Sequence, residues 1–258
     1  MLIVANWKAY VEDLAKAKKL FAAGKRLSKS TGAIIVLAPP APLLGALAAR
    51  NKPASPKTSS RGGSKVAFAA QDVSATAGGA LTGEITANAY AAAGATYAII
   101  GHSERRVNGD TDAVVALKLS RALAHELTPI LCIGESERDG EGRYLSIVRE
   151  ELTSAIEPLA PKERARVIVA YEPLWAIGKD AEHVIGPNDL AEMVLYIRKV
   201  LAELLPGKSS KNSLVLYGGS VESSNIRDLA ASSGVDGFLI GHASVDIREF
   251  SLLAKQLI

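Results

Sequence analysis

The sequence predicts an α/β fold, a closed parallel barrel of eight strand–helix units, and three observations carry the prediction. Short apolar runs recur eight times along 258 residues, each followed by a segment of helical periodicity. The runs are apolar at consecutive positions, so both faces of each strand are buried, as in a parallel sheet with helical crossovers. The length suits eight such units in a single domain, 1–258. An open doubly wound sheet shares the alternation, but no Gly-x-Gly-x-x-Gly turn follows the first run, which removes the usual dinucleotide signature of that alternative.

In order, Leu2 to Ala5 reads as strand one and Val11 to Arg26 as an amphipathic helix, with Gly32 turning the chain. Ala33 to Leu37 is strand two; prolines 39, 40 and 42 stop it and start a helix to about Arg50. Asn51 to Lys65 is rich in Pro, Ser, Lys, Arg and Gly and reads as an exposed, mobile loop. Val66 to Ala70 is strand three, Ala75 to Gly83 a loop, Ile85 to Ala93 a short helix and Tyr97 to Ile100 strand four. Thr111 N-caps a helix to Glu126; Pro129 to Ile133 is strand five; Leu145 to Leu159 is a helix closed by Pro161. Val167 to Tyr171 is strand six and Pro187 to Leu205 a helix with proline in its first turn. Leu214 to Tyr217, a helix from Asn225 to Ala231, Val235 to Ile240 and a helix from Asp246 to Ile258 complete the series.

Composition narrows the class. Hydrophobic residues make up 48%, enough for a sizeable core, and the net charge of +3 is spread along the chain. No basic run interleaved with aromatics suggests nucleic acid. No apolar run is long enough to span a bilayer, and the N-terminal run lacks the basic lead and length of a signal segment. The single Cys132 leaves no disulfide framework and no multi-Cys metal site. The expectation is a cytoplasmic protein with no nucleic-acid or membrane partner.

In a parallel barrel all strand C-termini share one face, and that face carries the chemistry. The polar residues just past strands are Asn6, Lys8, Gln71, His102, Ser103, Glu104, Glu172, Ser220 and His242. They supply an acid or base, an imidazole, a cation and glycine-rich turns at Gly178, Gly218-Gly219 and Gly241 whose N–H groups can cradle a phosphate. Each has a plainer reading. A strand-end Glu often caps a helix, Lys8 can be solvated, Trp7 and Trp175 can pack at the core rim, His125 and His183 read as surface residues, and Cys132 as a core residue. His102 has no second His or Cys at metal-ligand spacing, so no metal is expected. Their conjunction favours a site.

The motifs Asn6-Trp7-Lys8, Gln71-Asp72-Val73-Ser74, Thr82-Gly83-Glu84 and Gly101-His102-Ser103-Glu104-Arg105-Arg106 occur in that order. Cys132-Ile133-Gly134-Glu135, Tyr171-Glu172-Pro173-Leu174-Trp175-Ala176-Ile177-Gly178, Tyr217-Gly218-Gly219-Ser220-Val221 and Gly237-Phe238-Leu239-Ile240-Gly241 follow. Through them the chain resembles the triosephosphate isomerase family over nearly its whole length. The resemblance implies a TIM barrel that interconverts dihydroxyacetone phosphate and glyceraldehyde 3-phosphate through an enediolate, with no cofactor. It implies Glu172 as base, His102 as neutral electrophile at a helix start, Lys8 and Asn6 as stabilisers of negative charge, and Glu104 as partner of Lys8, with Ser103 in support. Backbone N–H groups of Gly178, Ser220, Gly241 and His242 would bind the phosphate; Pro173, Leu174, Trp175, Ala176, Ile177 and Lys179 would form a lid that excludes water. A homodimer through the Ala75–Gly83 loop is also implied.

The chain departs from the family pattern at Tyr10, where Asn is usual, at His242, where a second Gly is usual, and at Lys179-Asp180-Ala181, the far hinge of the lid. His242 and the altered hinge keep open an isomerase of another small sugar phosphate. A barrel retained only for binding is a further alternative, one with no need of a base.

Overall fold

The computed structural model describes residues 1–51, 65–176, 184–205, 207 and 212–257. The strands are β1 (Leu2–Asn6), β2 (Ile34–Ala38), β3 (Val66–Ala70), β4 (Tyr97–Ile100), β5 (Thr128–Ile133), β6 (Ile168–Tyr171), β7 (Val215–Tyr217) and β8 (Gly237–Ile240). They pair in sequence order into a closed barrel. Every pairing is parallel, and Leu2 opposite Gly237 closes the ring between β1 and β8. A side chain at Gly237 would drive a Cβ to 1.8 Å from the Leu2 carbonyl oxygen, so this seam accepts only glycine.

Around the barrel lie α1 (Leu14–Thr31), α2 (Ala41–Ala48), α3 (Ala87–Ala92), α4 (Ser103–Val107) and α5 (Asp112–Ala124). They are followed by α6 (Arg143–Ile156), α7 (Pro161–Arg164), α8 (Pro187–Leu204), α9 (Ile226–Ser232) and α10 (Ile247–Lys255). Successive residues of a strand point to opposite faces, and the two faces form two separate cores. Ile3, Ala5, Ile35 and Leu37 pack outward against helices, whereas Leu2, Val4, Val36, Ile130, Ala170 and Leu216 fill the barrel interior. This explains the unbroken apolar runs: each strand is buried on both sides.

The alternation of strand and helix matches the sequence prediction; several ends do not. The first helix starts at Leu14 rather than Val11, because Asp13 accepts the Lys16 N–H at 2.7 Å and caps it. It runs on to Thr31 instead of Arg26, ending where Gly32 takes φ +73°. Thr86 caps α3 through the Ala89 N–H, so Ile85 lies outside it. Helix α2 stops at Ala48, α6 spans Arg143–Ile156, and Pro161 opens α7 rather than closing α6. Proline suits a first helical turn, where its missing N–H has no acceptor to satisfy. Strands β6 and β8 start later than expected, at Ile168 and Gly237, and α10 ends at Lys255. Of the expected Asn51–Lys65 loop, 52–64 lies outside the described residues, as do 177–183, which hold Ile177 and Lys179 of the expected lid, and His183. Among the described residues no helix is long and apolar enough to cross a membrane.

Candidate active site

Interior parity delivers the site. Counting by twos, the inward series Leu2, Val4 ends in Asn6 and the series Ile168, Ala170 ends in Glu172. The same parity puts Gly134, Gly218 and Gly241 at the mouth, past Cys132, Leu216 and Leu239. Side chains there would collide with what the mouth holds. A Cβ at Gly134 would lie 1.9 Å from the Glu172 carbonyl oxygen, and one at Gly218 2.9 Å from Glu172 Cγ.

Glu172 is 2% exposed. Its N–H donates to the Ile133 carbonyl at 2.7 Å, fixing the backbone, and its Oε2 accepts the Ser103 N–H at 3.2 Å. Its Oε1 lies 3.5 Å from His102 Nε2, too long for a good hydrogen bond. His102 caps α4: its Nδ1 accepts the Glu104 N–H at 3.2 Å. A ring nitrogen that accepts carries no proton, so Nε2 is the donor and faces Glu172.

Lys8 enters from the loop after β1. Its backbone is left-handed, φ +46°, a conformation that costs energy in a non-glycine residue. Two hydrogen bonds hold it there, and a third fixes Gln71. The Lys8 N–H donates to Asn6 Oδ1 at 3.1 Å, and Gln71 Nε2 donates to the carbonyls of Lys8 and Ala38, both at 2.9 Å. The Lys8 ammonium pairs with Glu104 Oε1 at 2.6 Å. With Oδ1 of Asn6 engaged, the Asn6 amide NH2 is the end able to donate to a ligand. Asn6, Lys8, His102, Glu172, Ser220, Gly241 and His242 line one cavity of about 1200 Å³.

The helix α4, which His102 caps and which carries Glu104, is tied down by charge. Arg105 pairs with Asp72 at 2.9 Å, and the buried Lys118 pairs with Asp72 at 2.7 Å and Asp110 at 2.6 Å. Burial pushes the Asp72 carboxyl upward, with Lys118 pulling it back.

Glu135, named in the sequence only as part of a motif, has a structural role at the site. Glu135, fully buried, accepts the Tyr171 hydroxyl and the Trp175 indole N–H through Oε1, each at 2.8 Å. Its carbonyl accepts the Leu174 N–H at 2.9 Å, and Arg138 lies beside it at 3.4 Å and over the Trp175 ring at 5.3 Å. Glu135 therefore anchors Leu174–Ala176, the 3-10 turn next to Glu172. From the other side, Ser220 Oγ donates to the Ala176 carbonyl at 2.9 Å. The signal was an acid two residues past β5; its partners became visible only when β5 and β6 were paired.

The structure brings together Asn6, Lys8, His102, Ser103, Glu104, Glu172, Ser220, Gly241 and His242. Pro173, Leu174, Trp175 and Ala176 adjoin Glu172; Ile177, Gly178 and Lys179 lie outside the described residues. Trp7 is fully buried and His125 closes α5. Cys132 lies in the barrel interior, where burial beside Glu172 pushes its thiol well above the usual range. Among the described residues no cluster of three or more His, Cys, Asp or Glu could hold a metal ion. The arrangement is a carboxylate and an imidazole N–H facing one another, with an ammonium beside them: equipment for moving a proton next to a carbonyl and stabilising the charge that results.

Residues 1–257 match the family described as Triosephosphate isomerase. A triosephosphate isomerase of Mycobacterium avium (strain 104) is 41% identical over 192 residues, covering 74% of this chain and 73% of that protein. One of Thermus thermophilus is 36% identical over 260 residues, covering 99% and 98%. One of Cupriavidus pinatubonensis is 37% identical over 252 residues, covering 96% of each.

Proposed function

The chain belongs to the triosephosphate isomerase family, and on that premise we propose that Glu172, His102, Lys8 and Asn6 carry its reaction. The enzyme interconverts dihydroxyacetone phosphate and D-glyceraldehyde 3-phosphate, a step of glycolysis. The observation that carries the assignment of roles is that Glu172 Oε1 faces His102 Nε2 at 3.5 Å in a cavity shared with Lys8.

The Glu172 carboxylate takes a proton from the hydroxymethyl carbon of the ketose. The C–H electron pair becomes the carbon–carbon double bond, and the carbonyl pair moves onto oxygen. His102 Nε2–H meets that oxygen and passes the proton between the two oxygens of the enediolate. Glu172 then returns its proton to the neighbouring carbon, giving the aldehyde with no change of oxidation level. Lys8 offsets the enediolate and phosphate charge, and the Asn6 NH2 donates to the oxyanion. Glu104 holds the Lys8 ammonium in place. Ser103 keeps the free carboxylate engaged through its N–H, so Glu172 must exchange that bond for the substrate.

The phosphate is held by the N–H groups of Ser220, Gly241 and His242, joined by Gly178 of the lid. The lid turn from Pro173 onward covers the substrate and excludes water, which suppresses loss of phosphate from the enediolate. A cytoplasmic homodimer belongs to the same reading. The 75–83 loop supports it by presenting Leu81 at 47% exposure, with Ile85 just beyond at 39%, an apolar surface suited to a second copy.

Turnover tests the reading: purified protein given D-glyceraldehyde 3-phosphate, with the ketose detected by a coupled reductase. Steady formation of dihydroxyacetone phosphate is expected. Activity on a longer ketose phosphate with none on the triose would contradict it.

A further inference from the structure

We propose that the imidazole of His242, aimed by the ring of Tyr10, is an additional substrate-binding group that donates to the phosphate from the β8 side of the mouth. The proposal rests on the phosphate-site reading above and goes beyond its backbone N–H groups to a side chain.

The two rings meet edge to face, centroids 5.5 Å apart and planes at 76°. They come from opposite ends of the sequence. Tyr10 lies in the loop after β1, and His242 starts the 3-10 turn after β8. Both line the cavity that holds Glu172, Lys8 and Ser220. The Lys8 stem lies against Gly241, the residue before His242: a Cβ there would stand 3.3 Å from Lys8 Cε. His242 is thus the chain neighbour of a glycine that lies against the ammonium-bearing side chain. An anion drawn to Lys8 enters the cavity that His242 also lines.

Tyr10 is 51% exposed in the single chain. Its backbone is nevertheless fixed, its N–H donating to the Trp7 carbonyl at 3.1 Å and its carbonyl accepting from Lys16 Nζ at 3.3 Å. What the ring does is stand against His242. Edge-to-face contact at this separation is the favoured geometry for such rings and biases the imidazole toward one orientation before substrate arrives. The imidazole carries at least one N–H in either charge state, so it donates to a phosphate oxygen whether or not it is protonated. Asp246, four residues past His242, is engaged: its Oδ1 accepts the N–H groups of Arg248 at 2.8 Å and Glu249 at 2.9 Å at the start of α10. These bonds hold its carboxyl below the usual range, with a smaller contribution from His242.

The test compares wild type, His242→Gly, Tyr10→Ala and Tyr10→Phe in three measurements: turnover of glyceraldehyde 3-phosphate, turnover of unphosphorylated D-glyceraldehyde, and titration calorimetry with inorganic phosphate. For His242→Gly the expected result is a rise of about fivefold to tenfold in KM for the phosphorylated substrate and in Kd for phosphate, the scale of one charge-assisted hydrogen bond in a solvated site. The change falls on KM rather than kcat, and turnover of D-glyceraldehyde does not follow it. Tyr10→Ala shifts KM and Kd the same way by a smaller factor, and Tyr10→Phe, which keeps the ring, restores them. An unchanged or lowered KM and Kd in His242→Gly overturns the proposal, as does an equal loss on the unphosphorylated aldehyde. Phosphate binding that needs His242 in a wild type that fails to isomerise would count against the Glu172 assignment and leave this one standing.

Discussion

His102 Nδ1 accepts the N–H of Glu104 at 3.2 Å, and this one bond decides which side of the ring meets the substrate. The proton is placed on Nε2, 3.5 Å from Glu172 Oε1. In a 15N spectrum at neutral pH, Nδ1 is expected to show the shift of an unprotonated nitrogen and Nε2 that of an N–H. A proton found on Nδ1 would require another electrophile. His102→Gln, which cannot pass the proton between the two oxygens, is expected to lower kcat by about 10²–10³.

Gly218 sets the position of the base. The Cβ of Gly218→Ala would fall 2.9 Å from Glu172 Cγ and 3.3 Å from Oε1. The side chain is the part that can yield, so the variant folds with Glu172 displaced. A fall in kcat of about tenfold to a hundredfold is expected, the cost of misplacing a catalytic group by about an ångström. Unaltered kcat would show that the mouth gives way elsewhere.

Glu135 is predicted to matter for stability as well as for the lid. In Glu135→Ala the Tyr171 hydroxyl and the Trp175 indole N–H both lose their 2.8 Å acceptor. Buried donors left without partners cost about 1–3 kcal/mol each, so a loss of roughly 2–5 kcal/mol is expected from urea unfolding. A change below about 0.5 kcal/mol would place the anchor of the lid elsewhere.

Glu151 gives the fold a pH dependence. Burial pushes its carboxyl up to about 7 from the ordinary 4.5, opposed by the Arg106 charge and the Gly134 N–H it accepts at 2.8 Å. Between those values the folded state binds more protons than the unfolded, so the slope of unfolding free energy with pH is negative. The group's contribution is full below 4.5 and declines as pH rises toward 7. Glu151→Gln keeps an acceptor for Gly134 and removes the titration. It should flatten the curve across this window by up to about 3 kcal/mol. Parallel curves for the two proteins would contradict the assignment.

The sequence carried the barrel because burial on both faces writes itself as consecutive apolar residues, as in Leu2–Ala5 and Ile168–Ala170. Inward parity then ends those two runs on Asn6 and Glu172, which is why strand-end polar residues were legible as a site. Helix ends were less so, since the caps at Asp13 and Thr86 override the apolar period by a few residues. The placement of Pro161 depended on whether the chain was leaving one helix or entering another. What pairwise geometry decides could not be read at all. The left-handed Lys8, the acceptor role of Glu135 and the ring contact of Tyr10 with His242 each depend on loops that meet only once the barrel closes.

The central claim is that Glu172 is the base, and one comparison tests it most directly: kcat for glyceraldehyde 3-phosphate in wild type and Glu172→Gln. The amide keeps the shape of the side chain and removes its basicity, so the variant is expected to remain folded by circular dichroism and to lose at least about 10³-fold in kcat. A folded variant that turns over at the wild-type rate would contradict the account.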